Sequence, residues 1–177
     1  KSSLLWTKGW YIMGLVQVAT TTVTSAVASV TLTGIDSDDV YVCYVNKLRP
    51  STSGADLQCR VTESGTANST TNYDQAYKFM PSSTSFSNSS STNLNKWDLT
   101  GSIDTSASGN YSASIYYIYN ANNSSEYTFL TWENIYTASN GIYGGSVFTS
   151  ASSVNGLQFF MDTGNISAGT FTFYKVV

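Results

Sequence analysis

The chain has 177 residues, of which 11% are charged and 14% aromatic, and it contains no histidine. Without imidazole it lacks the commonest general acid/base at neutral pH and the commonest metal ligand, which excludes a Ser-His-Asp triad and argues against a structural zinc site. The formal charge is −3, the eight basic residues are scattered, and no apolar run reaches the ~18 residues of a membrane helix; neither nucleic acid nor a membrane span is expected.

The first segment, Lys1 to Met13, is apolar but broken by Lys8 and Gly9. It lacks the continuous core and small-residue cleavage site of a signal peptide. It is expected to be an arm ahead of a single domain at 14–177, packing on its own domain or, through Leu4, Leu5, Trp6, Trp10 and Tyr11, docking on a neighbouring subunit. From residue 15 onward, period-two alternation dominates and predicts strands. Strands are expected at 15–23, 26–33, 40–48 and 56–63, with Gly34–Asp39 and Pro50–Gly54 as turns. In the second strand Val30 and Leu32 share a face; in the fourth, Leu57, Cys59 and Val61 do.

Residues 64–93 are almost all hydroxyl or amide, apart from one strand-like stretch from Tyr73 to Met80. They read as a long exposed excursion, the kind of segment that often contacts a partner. Alternation resumes at 94–104, 111–120 and 126–136. The three glycines of 141–148 predict a kinked or bulged strand. Strands at 154–161 and 169–176 close the chain, with Leu157, Phe159, Met161, Phe171 and Phe173 facing the core. Between them Gly164 and Gly169 bracket a connection in which Asn165 is expected to be left-handed. The whole reads as all-β: a two-sheet antiparallel sandwich of about ten strands, jelly-roll-like.

Candidate chemistry is sparse. Cys43 and Cys59 read as buried free thiols, brought near each other if their strands pair around the Pro50–Gly54 turn. Asp36, Asp38 and Asp39 offer hard oxygens without the spacing of a calcium loop, and read as a solvated turn. Glycoside hydrolysis needs two carboxylates; Asp98, Asp104, Glu126, Glu133 and Asp162 are the candidates, none in a recognisable pair. No catalytic residue, metal or cofactor is expected. Tyr and Trp present flat apolar faces with polar edges, which suits saccharide stacking. Tyr73, Tyr77 and Trp97, in or beside the excursion, are the candidate glycan or receptor contacts. Tyr116, Tyr117, Tyr119, Trp132 and Tyr136 read as core or subunit contact.

The C-terminal third carries a pattern: Tyr127-Thr-Phe-Leu-Thr-Trp132, then Ile142-Tyr-Gly-Gly-Ser-Val-Phe148, Val154-Asn-Gly-Leu-Gln-Phe-Phe160 and Gly164-Asn-Ile-Ser-Ala-Gly-Thr-Phe-Thr-Phe-Tyr174. It resembles small virion proteins of tailed bacteriophages, whose endings share the Gly-Asn-Ile-x-x-Gly core. Lys175 stands where those endings carry a final glycine. The resemblance implies a non-enzymatic structural protein on the outer surface of the virion, on head or tail, as a decoration or fibre component. It implies other virion proteins as partners and a homo-oligomer, a trimer by analogy. The alternative expectation is a carbohydrate- or receptor-binding module that meets a host surface glycan through exposed aromatics.

Overall fold

A computed structural model describes residues 14–82, 85–105, 111–136 and 140–177. The described residues form thirteen strands and no helix. In chain order these are β1 (Leu15–Val23), β2 (Ser29–Thr33), β3 (Tyr41–Pro50), β4 (Leu57–Glu63), β5 (Thr66–Ala67), β6 (Tyr73–Met80), β7 (Ser87–Leu94), β8 (Trp97–Asp98), β9 (Ser112–Tyr119), β10 (Thr128–Tyr136), β11 (Asn140–Phe148), β12 (Gly156–Met161) and β13 (Ile166–Val176). The strands without an expected counterpart are the two-residue β5 and the polar β7.

Two antiparallel sheets share one core in a sandwich-like arrangement. The larger runs β1-β13-β3-β9-β10-β11-β6-β7; the smaller runs β2-β12-β4-β5, with β8 also paired to β4. Within this order lies a nested set of pairs: β1 with β13, β2 with β12, β3 with β9 and β4 with β8. The strands β10, β11, β6 and β7 extend the larger sheet beyond β9, and β8 of the smaller sheet meets them there, Trp97 packing on Tyr73 of β6.

Alternation decides which side chains enter the core. Tyr41, Cys43 and Val45 of β3 point inward, as do Leu57, Cys59 and Val61 of β4 and Leu157, Phe159 and Met161 of β12. Phe171 and Phe173 of β13 join them, and Phe159 packs on both Tyr116 and Phe171. Burial of that much apolar surface, at about 25 cal/mol per Å2, is the main term holding the sheets together. Between Val45 and Leu48 the β3–β9 register slips, and Lys47 adopts φ 54° there.

Several expectations change. Residues 64–93 are not one exposed loop: β5, β6 and β7 lie within them, and β6 spans the Tyr73–Met80 stretch. Only Trp97–Asp98 forms a strand within 94–104, with an isolated bridge from Ile103 to Ala55. The glycine-rich β11 runs in unbroken register with β10 and β6, so it carries no bulge. Its glycines serve close packing instead, since a Cβ on Gly144 would lie 2.7 Å from the Ala76 carbonyl oxygen and 2.9 Å from the Trp132 ring. The left-handed residue near the last turn is Gly164 (φ 74°), not Asn165.

Candidate functional site: a tyrosine-lined groove on the larger sheet

The outer face of the larger sheet is built by the same period-two rule as the core. In β9, Ser112, Ser114, Tyr116 and Ile118 turn inward, which sends Ala113, Ile115, Tyr117 and Tyr119 outward. In β10, Leu130, Trp132 and Asn134 turn inward, sending Phe129, Thr131, Glu133 and Ile135 outward. Strand register aligns these side chains in rows across the sheet. One row reads Tyr117, Thr131, Gly145, Ala76 and Ser90. The adjacent row on the same face reads Ile115, Glu133, Tyr143, Lys78 and Asn88.

The first row is a groove floor because its residues beyond Tyr117 are small. Gly145 has nothing within 4 Å of where a Cβ would sit. Tyr117, 38% exposed, closes one end, and Tyr143, 46% exposed, stands along one side. The Tyr119 hydroxyl reaches the Thr131 hydroxyl at 3.5 Å. The groove is open to solvent and offers a volume of about 990 Å3. Glu133 and Lys78 stand two strands apart in the second row, with Tyr143 between them. Glu133 has no hydrogen bond or ion pair among the described residues, while the Lys78 ammonium lies 5.4 Å from the Phe86 ring centre.

Of the three aromatic residues singled out as glycan contacts, Tyr77 lines this groove and Tyr73 and Trp97 do not. Tyr73 and Trp97 are fully buried, packed edge to face with centroids 5.1 Å apart, so neither offers a platform to a glycan. The Tyr73 hydroxyl donates to the Asn68 carbonyl at 2.6 Å and accepts from the Val61 amide, and burial pushes its pKa well up. Both stand on strand-like stretches of the sequence, and β6 and β8 carry them into the core between the sheets. Tyr77 is half-buried and leans on Trp132, centroids 5.8 Å apart. Trp132, Tyr116 and Tyr136 belong to the core, whereas Tyr117 and Tyr119 face out. The arm residues Leu4, Leu5, Trp6, Trp10 and Tyr11 lie outside the described residues.

The ionic candidates resolve into two groups. An ammonium from within the chain pairs with two of the three carboxylates of the Asp36–Asp39 turn. Lys175 lies 2.8 Å from Asp39 and 3.6 Å from Asp36, and it donates to the Ser37 hydroxyl at 2.7 Å. The Tyr41 hydroxyl bonds Asp36 at 2.8 Å, and Asn123 donates to Asp38 at 3.0 Å. The Tyr41 hydrogen bond and the nearby ammonium hold the Asp36 carboxyl below its usual range; the Lys175 hydrogen bond does the same for Asp39. An ammonium thus occupies the place a cation would take, and no metal-binding cluster exists among the described residues.

The second group gathers at one margin of the sandwich. Asp162 accepts from the Asp56 amide at 2.8 Å, and Asp98 accepts from Gln58 at 2.7 Å. Burial first, and then the Asp162 and Asp98 charges, push the Asp56 carboxyl up to about 6. Of the other acids, Asp104 takes the Ser53 hydroxyl at 2.8 Å, and Glu126 and Glu133 are exposed. Cys43 and Cys59 are free and buried, on strands of different sheets that do not pair; burial pushes both thiols well up. Thiols held protonated in an apolar interior are poor nucleophiles.

Comparison of the chain with family models, curated proteins and solved structures yields no match.

Proposed function

We propose that this chain is a non-enzymatic structural protein of a tailed-phage virion, displayed on head or tail as a decoration or fibre component. It works by contact and not by chemistry. The nested pairing of β1 with β13, β2 with β12, β3 with β9 and β4 with β8 supports reading the sandwich as a jelly roll, to which β6, β7, β10 and β11 are additions. The resemblance of the C-terminal third to small virion proteins supplies the setting.

One observation carries the assembly role. Edge strand β1 has neither charge nor proline among its nine residues, and its first two side chains, Leu15 and Val16, are about half exposed (48% and 50%) beside the equally exposed Val177. Soluble proteins protect such edges with lysine, proline or cover, because unpaired backbone beside apolar side chains recruits another chain. A bulge between Gln17 and Ala19 sets this apolar end apart from the threonines that follow. We assign the end, together with the adjoining residues 1–13, to contact with a neighbouring subunit in a homotrimer.

Light scattering on the full chain tests the assignment. The chain is expected to assemble, and Leu15→Asp with Val16→Asp is expected to give a folded monomer with unchanged circular dichroism. A monomeric parent chain, or a variant that stays assembled, overturns it.

A further inference from the structure

We propose that the outer groove of the larger sheet binds an uncharged oligosaccharide, with Tyr117 and Tyr143 as stacking surfaces and Glu133, Lys78 and Asn88 as its polar contacts. The inference rests on reading the chain as a contact protein, and it names the site and the class of ligand.

The shape comes first. The floor of Thr131, Gly145, Ala76 and Ser90 crosses four strands, a run of about 14 Å at the ~4.8 Å spacing of a sheet. That accommodates a short chain of sugar rings lying across the strands. No helix, loop or second sheet is needed to form it: small residues in one row and large ones in the next make the depression. The open space above Gly145 lets a ligand approach the backbone between Thr131 and Ala76.

The chemistry selects the ligand. A phenol ring offers an apolar face to the C–H surface of a sugar and a hydroxyl at its rim. Around the floor stand a carboxylate that only accepts, an ammonium that only donates, and an amide and hydroxyls that do both. A sugar, whose every hydroxyl donates and accepts, can pair with all of them. An apolar peptide or acyl chain would strip water from Glu133 and Lys78 without offering either charge a hydrogen-bond partner. An anionic ligand would gain Lys78 but meet Glu133, and a cationic one the reverse. With one charge of each sign, separated by Tyr143, the groove favours a neutral polyol over either.

The test uses the full chain and calorimetric titration with maltohexaose, cellohexaose, laminarihexaose and chitohexaose, with an oligogalacturonate of equal length as the anionic control. At least one neutral hexaose is expected to bind and the oligogalacturonate is not. Tyr143→Ala and Tyr117→Ala should each weaken that binding about tenfold or more. Gly145→Val should abolish it by filling the floor, since the space there is empty and the fold has no need of it. The proposal is overturned if no neutral hexaose binds, if only the anionic one does, or if binding survives both Tyr143→Ala and Gly145→Val.

The same variants separate this site from the assembly edge. Leu15→Asp with Val16→Asp should lose assembly and keep saccharide binding, while Tyr143→Ala should do the reverse. Binding lost together with assembly would place the sugar at the subunit contact and overturn the groove. Assembly that persists in the edge variant, with saccharide binding intact, would overturn the edge and leave the groove standing.

Discussion

The two faces of the strands β9, β10 and β11 carry the same residue types to opposite ends. Inward, Tyr116, Trp132 and Ile142 are closed off by the smaller sheet and by one another; Trp132 even secures its indole N–H by donating to the Ser146 hydroxyl at 3.1 Å. Outward, Tyr117, Phe129 and Tyr143 meet solvent. An aromatic side chain in this protein is thus a packing element or a contact element according to parity along its strand. Composition does not distinguish the two. Neighbouring residues of one strand, Tyr116 and Tyr117 or Gly144 and Gly145, fall on opposite sides of the distinction.

That contrast can be broken most forcefully at Trp132. Trp132→Ala should cost about 3–5 kcal/mol by leaving a cavity under β10, whereas the outward Tyr143→Ala should stay within about 0.5 kcal/mol. Denaturant melts of the two variants measure the difference, and equal losses would show that the outer face is covered too. The adjacent glycines give a finer comparison. Gly144→Ala drives a methyl against the Ala76 carbonyl and the Trp132 ring and should cost about 1–3 kcal/mol. Gly145→Ala meets open space and should be neutral in the same melts.

A smaller effect than that of Trp132 lies at the sandwich margin. The Asp56 carboxyl is raised from 3.8 to about 6, so between those values the folded chain holds more protons than the unfolded one. Stability should therefore fall as pH rises through that window and then level off. Asp56→Asn should flatten the curve and stabilise the protein at pH 7 by about 1 kcal/mol, a figure reduced because Asp56 is only half-buried. A parent chain whose stability does not change between pH 4 and 6 would refute the shift.

Much of the fold was legible because it is local. Strands with clean alternation, such as β1, β10 and β12, stand where period two puts them, and Leu157, Phe159, Phe171 and Phe173 fill the core as that parity requires. The groove was harder to see. Its floor draws one residue each from β10, β11, β6 and β7, which lie up to 69 positions apart, Ala76 and Gly145 being the extremes that pair directly. A run such as Ser-Asn-Ser-Ser-Ser-Thr-Asn-Leu has no hydrophobic period; it becomes β7 because β6 offers it a ladder of backbone hydrogen bonds. The burial of Tyr73 and Trp97 is tertiary in the same way, since polar neighbours in sequence say nothing about the sheets closing over them.

The amino-acid sequence by itself determined that this protein is built of strands, with no imidazole to drive acid–base chemistry and a greasy parity wherever alternation is regular. Tertiary structure alone decided which strands pair, which of the two parities faces water, and that Lys175 would pair with Asp39 from 136 residues away. The physical reason is range. Backbone sterics and side-chain alternation act within a few residues, whereas hydrogen-bonded pairing and the burial that rewards it join positions whose separation along the chain leaves no local trace.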